Sequence, residues 1–96
     1  MLLYFILTTS YFYTKKTMHL EIITPDKKVF EGEVKSVLVP GTKGQFQMLE
    51  NHAAIISTLI NGKVKIKTAS GEESFDVKGG VVEMINNKVT ILAESA

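Results

Sequence analysis

From Met18 onward the chain alternates apolar and polar positions with a period of two. Lys63-Val64-Lys65-Ile66-Lys67 puts Val64 and Ile66 on one face and three lysines on the other. A strand with one buried and one wet face has that pattern. Ser74-Phe75-Asp76-Val77-Lys78 repeats it, as do Leu20-Glu21-Ile22 and Val89-Thr90-Ile91. Between these runs stand Asn61-Gly62, Ser70-Gly71 and Asn86-Asn87, which read as hairpin turns because Asn and Gly tolerate positive φ. Pro25-Asp26 and Pro40-Gly41 mark further turns.

No stretch keeps a helical period over three turns. Asn51–Ile60 is the only contender, and its β-branched run Ile55-Ile56-Ser57-Thr58-Leu59-Ile60 reads better as a strand. About eight to ten short strands are expected, with turns every eight to twelve residues. The predicted fold class is all-β, a flattened sandwich or barrel. Gly79-Gly80, between two strands, allows a bend or a close backbone approach. A phosphate nest there would need a following helix, and none is predicted.

Residues 1–17, MLLYFILTTSYFYTKKT, differ in character from the rest. The apolar run Leu2–Leu7 is far short of the roughly 20 residues that span a bilayer. It also lacks a charged n-region and a small-residue cleavage site. The alternating pattern begins right after a second methionine, as Met18-His19-Leu20. Residues 1–17 are therefore expected to lie outside the native domain, as an upstream translation artefact, and 18–96 to be the folding unit. The alternative is a β-prone arm packed on a neighbour.

Ninety-six residues make one domain with a thin stability margin. There is no cysteine, so neither a disulfide nor a thiolate site supplements it. All eleven cations are lysine, against ten acids. Two of them, Lys15 and Lys16, precede Met18, so the 18–96 domain is about −1. A near-neutral, arginine-free domain is a poor nucleic-acid binder.

Catalytic constellations are absent. His19 and Glu21 share a strand face, but a zinc site needs at least three protein ligands. His52 lies far off in a turn-rich stretch, and a hydrogen-bonded or solvent-facing histidine explains each better. Gly41-Thr42-Lys43-Gly44 lacks Walker spacing and a following helix, and reads as a loop tip. Asp26-Lys27 superficially suits a lipoyl- or biotinyl-type carrier domain, but it sits near the chain start and the two halves show no self-similarity. A generic ligand-binding sandwich is the other alternative. After Met18 only Phe30, Phe46 and Phe75 remain as aromatics, about what a small core needs.

An ordered series of segments nonetheless stands out: Thr24-Pro25-Asp26, Phe30-Glu31-Gly32, Val39-Pro40-Gly41, Gly44-Gln45-Phe46, Asn51-His52-Ala53 and Gly79-Gly80. In that order they resemble the epsilon subunit of F-type ATP synthases. The resemblance covers essentially all of Met18–Ala96. It implies a non-catalytic rotor subunit of the central stalk, linking gamma to the membrane c-ring and coupling ion flow to ATP synthesis. It implies a peripheral location on the cytoplasmic face of a bacterial inner membrane, without direct lipid insertion. By family position, Thr24 and His52 are expected at the gamma contact. Gly41, Lys43, Gly44, Gln45, Phe46, Gln47 and Glu50 are expected at the c-ring, with Phe46 and Leu49 anchoring that segment inward. Longer relatives continue into two helices. The sequence ends at Glu94-Ser95-Ala96, so a short form without a carboxy-terminal helical hairpin is expected, with no cofactor and no ATP binding. The pattern departs from the family at Gln45, often acidic, at Gln47, often glycine, and at Ala54, often proline.

Overall fold

The computed structural model describes residues 17–95. The expectations for residues 1–16 lie outside the described residues. Nine strands follow one another: β1 (Met18–Ile23), β2 (Lys28–Val34), β3 (Ser36–Gly41), β4 (Gly44–Leu49), β5 (Ile55–Leu59), β6 (Gly62–Thr68), β7 (Gly71–Val77), β8 (Gly80–Ile85) and β9 (Lys88–Ala93). No helix occurs among the described residues.

The strands form one curled sheet in the order β2-β1-β9-β8-β5-β3-β6-β7, with β4 on the other edge of β3. It folds back where β5 meets β3, so β2-β1-β9-β8-β5 makes one layer and β4-β3-β6-β7 the other. The result is the expected flattened sandwich. Most pairs are antiparallel, while β1 and β9 run parallel from His19↔Lys88 to Ile23↔Leu92.

The alternation dictates which side chains go in. Leu20 and Ile22, Val64 and Ile66, Val82 and Met84, and Val89 and Ile91 are all buried in one core. Each fully buried side chain of this size contributes about 1.5–3 kcal/mol by removal from water. The three phenylalanines do not form that core. Phe30, Phe46 and Phe75 are half-buried at its rim. Phe30 and Phe75 close one side of the sandwich, with ring centroids 5.6 Å apart.

Two predicted turns are not turns. Asn61-Gly62 does not make a hairpin, because β5 and β6 are not paired with each other. Both run along one edge of β3, where Gly41 pairs with Leu59 and Leu38 with Lys65. Three steps on β3 thus match six on the other chain. The surplus forms a corner at which the chain passes from one layer to the other. Pro40-Gly41 lies inside β3, and the turn is at Thr42-Lys43. Pro40 is tolerated because its nitrogen faces the β5–β6 side, where the corner interrupts the ladder. Its carbonyl accepts from Ile60 N–H at 2.9 Å.

The other turns follow the sequence. Asn86 and Asn87, at φ 52° and 61°, make the two-residue β8–β9 hairpin. Thr68↔Gly71 closes the β6–β7 hairpin. Thr24 N–H donates to Lys27 C=O at 2.9 Å across the Pro25-Asp26 turn. Gly80, at φ 136°, sits so close to β9 that a Cβ would run into the Leu92 carbonyl oxygen.

Candidate binding surfaces

Outward positions of the β5, β8 and β9 strands are unexpectedly apolar. Ile56 is 69% exposed, Leu92 53%, Ile85 47% and Val81 37%. Register puts Val81 beside Leu92 and Leu92 beside Ile23, whereas Ile56 pairs with Glu83 and Ile85 with Lys88, so Ile56 lies diagonal to Val81 and Ile85 around Glu83. Ile60 continues the run at the corner. An exposed apolar cluster of this kind, with Glu83 and Thr90 set into it, is a candidate protein-binding face. Sequence reading missed these residues, although a signal was present. Ile55-Ile56, Val81-Val82, Met84-Ile85 and Ile91-Leu92 are apolar at both parities. Apolar residues at both parities read as a strand covered on both faces.

Further along the same layer the outer face becomes ionic. His19 Nδ1 lies 3.0 Å from Glu33 Oε2 and its Nε2 3.0 Å from Glu31 Oε2. Lys28 Nζ joins Glu31 at 2.6 Å and Glu21 at 2.9 Å. Carboxylates accept, so contacts at both ring nitrogens favour the imidazolium, in which both donate. The Glu33 hydrogen bond, then that of Glu31, raises its pKa above the ordinary 6.5. Lys28, then His19, lowers the pKa of Glu31 below 4.5. With both its nitrogens engaged, His19 is a poor metal ligand. Among the described residues no three His, Cys, Asp or Glu are placed to hold a metal ion.

The expected gamma-contact residues bracket the apolar face. Thr24 is at one end, where Ile23, Thr24, Pro25, Leu92 and Ala93 line a shallow hollow of ≈ 240 Å³. Its side chain is buried, and its hydroxyl is spent on the Lys27 carbonyl at 3.2 Å. His52 is at the other end, exposed, beside a hollow of ≈ 360 Å³ lined by Asn51, Ala54, Ile85, Asn86 and Asn87. Its Nδ1 is 2.8 Å from the Ala53 carbonyl.

The expected c-ring set does not form one loop. Residues 44–49 are strand β4, which holds the tip residue Lys43 and the half-buried Glu50 at opposite ends. Five steps of strand separate them by about 17 Å. Gly41 is buried, and a Cβ there would stand 2.8 Å from the Phe46 ring. Lys43, Gly44, Gln45 and Gln47 are exposed, while Phe46 packs against the core as expected. Leu49 points outward at 51% exposure, contrary to an anchoring role, because Met48 takes the inward position. Thr42 ties the tip to β5 by its N–H to Thr58 C=O at 3.1 Å and by a hydroxyl contact of 2.9 Å.

Residues 17–96 match the family described as "ATP synthase, Delta/Epsilon chain, beta-sandwich domain". An ATP synthase epsilon chain from Chlorobium limicola is 41% identical over 80 residues, covering 82% of this chain and 91% of that one. Among solved structures, a chain in the Euglena gracilis mitochondrial ATP synthase (OSCP, F1 and c-ring) superposes with a TM-score of 0.78 at 16% identity. The match covers 83% of this chain and 52% of that one, so this chain spans about half its length. A chain of the Tetrahymena thermophila mitochondrial ATP synthase central stalk and c-ring gives 0.69 at 19% identity, covering 82% of this chain and 64% of that one. At these identities the two structures show likeness of fold.

Proposed function

Since the chain belongs to the ATP synthase delta/epsilon family through its β-sandwich domain, we propose that it works as a non-catalytic rotor subunit of the central stalk, clamping gamma to the membrane c-ring. The observation that carries this reading is the exposed apolar cluster Ile56, Val81, Ile85 and Leu92, grouped around Glu83 and Thr90 on the outer face of β5, β8 and β9. A thin-cored domain with such a face gains stability when a partner covers it. Gamma occupies that face, reaching toward Thr24 at one end and His52 at the other. The c-ring meets the Thr42–Lys43 tip, with Gly44, Gln45 and Gln47 beside it. Glu50 lies too far along β4 to share that contact.

Mechanical coupling requires two docking surfaces and no reacting group. The protein is peripheral, on the cytoplasmic face of a bacterial inner membrane. No helix among the described residues is long and apolar enough to cross a membrane. The carrier and ligand-binding alternatives gain nothing from the family match. Lys27, on which the carrier reading rested, lies in the β1–β2 turn with its N–H and C=O facing Thr24 Oγ1 at 3.3 and 3.2 Å.

Binding of the purified chain to gamma tests the face. Leu92→Glu should weaken it by 2 kcal/mol or more, about 30-fold, as for a residue central to an interface. Lys65→Glu, on the opposite layer, should leave it unchanged. Full-strength binding by Leu92→Glu combined with loss in Lys65→Glu would put gamma on the wrong side.

A further inference from the structure

Opposite the Phe30–Phe75 closure, the sandwich is open among the described residues. β4 is the last strand of one layer and β5 the last of the other, and β5 meets β3 only at Leu59↔Gly41. Between the two edges lies a groove of ≈ 540 Å³, lined by Gly41–Phe46 and Ile55–Thr58. Phe46, Ile55 and Ile56 make it partly apolar. Among the described residues that line it, Lys43 alone is charged.

The backbone of β4 is half used. Pro40 C=O and Thr42 N–H bond toward β5. Alternation therefore turns Val37, Val39 and Gly41 toward β4, where their partners are Met48, Phe46 and Gly44. The intervening residues Gln45, Gln47 and Leu49 direct their N–H and C=O groups to the free edge. The Leu49 carbonyl already accepts from His52 N–H at 3.0 Å. Among the described residues nothing pairs with the outward donor and acceptor of Gln45 and Gln47.

Exposed edges normally carry charges that block pairing with stray strands. β2 has Lys28, Glu31 and Glu33, and β7 has Glu72, Glu73 and Asp76. β4, GQFQML, has none. Ile56 belongs both to this groove and to the apolar face, so groove and face are continuous.

We propose that β4 is a strand-accepting edge: the partner seated on the β5–β8–β9 face lays an extended, uncharged segment along Gln45 and Gln47 as an added strand. This rests on the reading that gamma binds that face, and it adds the mode of attachment. Gamma then grips the domain by backbone hydrogen bonds as well as by apolar contact, close to the tip that meets the ring.

Amide hydrogen exchange by NMR tests it, on the ¹⁵N-labelled full chain alone and saturated with unlabelled gamma. Phe46 and Met48 amides bond to β3 and should exchange slowly in both states. Gln45 and Gln47 amides should exchange fast in the free chain and slow by on the order of 100-fold in the complex. If they stay fast in the complex, the strand is absent and the inference fails. Gln47→Pro removes the outward donor and fixes φ there while leaving the β3-facing amides of Phe46 and Met48, so it should weaken gamma binding about tenfold, roughly 1.4 kcal/mol, while Gln47→Ala changes little. Equal affinity of the two variants, with core resonances intact, also overturns it. Slow Gln45 and Gln47 exchange in concentrated free protein, with a doubled mass, gives the edge to a second copy and rejects the gamma strand. A chain that does not bind gamma at all sinks the functional reading and this inference together. Binding with both amides still fast sinks this inference alone.

Discussion

Asn51 and Asn87 hold each other across thirty-six residues of sequence. Asn51 N–H donates to Asn87 Oδ1 at 2.7 Å, and Asn87 Nδ2 donates to Asn51 Oδ1 at 3.2 Å. Both residues are left-handed, at φ 64° and 61°. The pair fastens the loop after β4 to the β8–β9 turn, and so fixes His52 at one end of the apolar face. The backbone at each position calls for Asn or Gly, and the cross-link then selects Asn.

Separating those two demands gives the first prediction. Asn87→Gly keeps the turn and loses both hydrogen bonds of the cross-link, so unfolding stability should fall by about 1–3 kcal/mol, at about 0.5–1.5 kcal/mol for each. Asn87→Ala loses the cross-link and also pays for positive φ, a further 1–2 kcal/mol or so. Urea unfolding of both variants measures the difference. Equal losses would mean that the left-handed backbone at Asn87 carries no cost.

Protonation of His19 should set the pH dependence of stability. Its folded pKa lies above 6.5. Its contribution is therefore complete below 6.5 and lost as pH rises through the higher, folded value. Glu31 works in the other direction: its folded pKa lies below 4.5, so its share is complete above 4.5 and lost as pH falls through the lowered value. Both contributions are present between those limits. Lys88 on β9, the cross-strand partner of His19, adds a like charge that favours neutral His19. The groups are exposed, so the effect is small. The Tm should decline from about pH 6 to pH 8.5, and His19→Gln should flatten that decline. An unchanged slope in the variant would remove His19 from the account.

Strands were legible in the sequence because alternation is local: Lys63–Lys67 needs no knowledge of its partner to declare a wet and a dry face. Partner identity is not local. Asn61-Gly62 has the residues of a tight hairpin, yet the adjacent strands both pair with β3, and only the register slip between Gly41↔Leu59 and Leu38↔Lys65 reveals a corner. For the same reason the residues from Gly41 to Glu50 group in the sequence as one contact segment. The turn residues Gly41, Gly44 and Asn51 are real signals, but Gly41 is buried under Phe46 and a whole strand separates Gly44 from Asn51. The apolar face was hidden by the opposite difficulty. Val81-Val82 and Ile55-Ile56 do not say which member faces the core, and so neither was singled out as a contact.

Gly80 and Gly44 offer a controlled comparison of two glycines with similar φ, 136° and 124°. Around Gly44 a new Cβ meets nothing within 4 Å, whereas at Gly80 it meets the Leu92 carbonyl and Ala93. Gly44→Ala should cost only backbone strain, about 1–3 kcal/mol. Gly80→Ala adds a backbone clash and should exceed 3 kcal/mol, enough to leave a domain of this size largely unfolded. Circular dichroism and thermal unfolding of the two proteins decide it. A Gly80→Ala protein as stable as Gly44→Ala would show that β8 and β9 move apart without loss.

Lys43 and Glu50, the two charged residues of the set expected at the ring, stand at opposite ends of β4. With the whole of β4, about 17 Å of strand, between them, the two charges lie beyond the Debye length of about 8 Å at physiological salt and act independently. Lys43→Glu should therefore weaken coupling between ion flow and ATP turnover slightly, since a rim charge is worth only about 0–1 kcal/mol. Glu50→Lys should leave coupling alone, and the double reversal should match Lys43→Glu by itself. Replacing Lys43–Gln47 with a bulky, multiply charged segment is the stronger test. It should uncouple ion pumping from ATP turnover in reconstituted vesicles, because both tip and edge lose their fit. If Glu50→Lys uncouples as strongly as Lys43→Glu, the ring must reach both ends of β4, and the tip-first orientation is wrong.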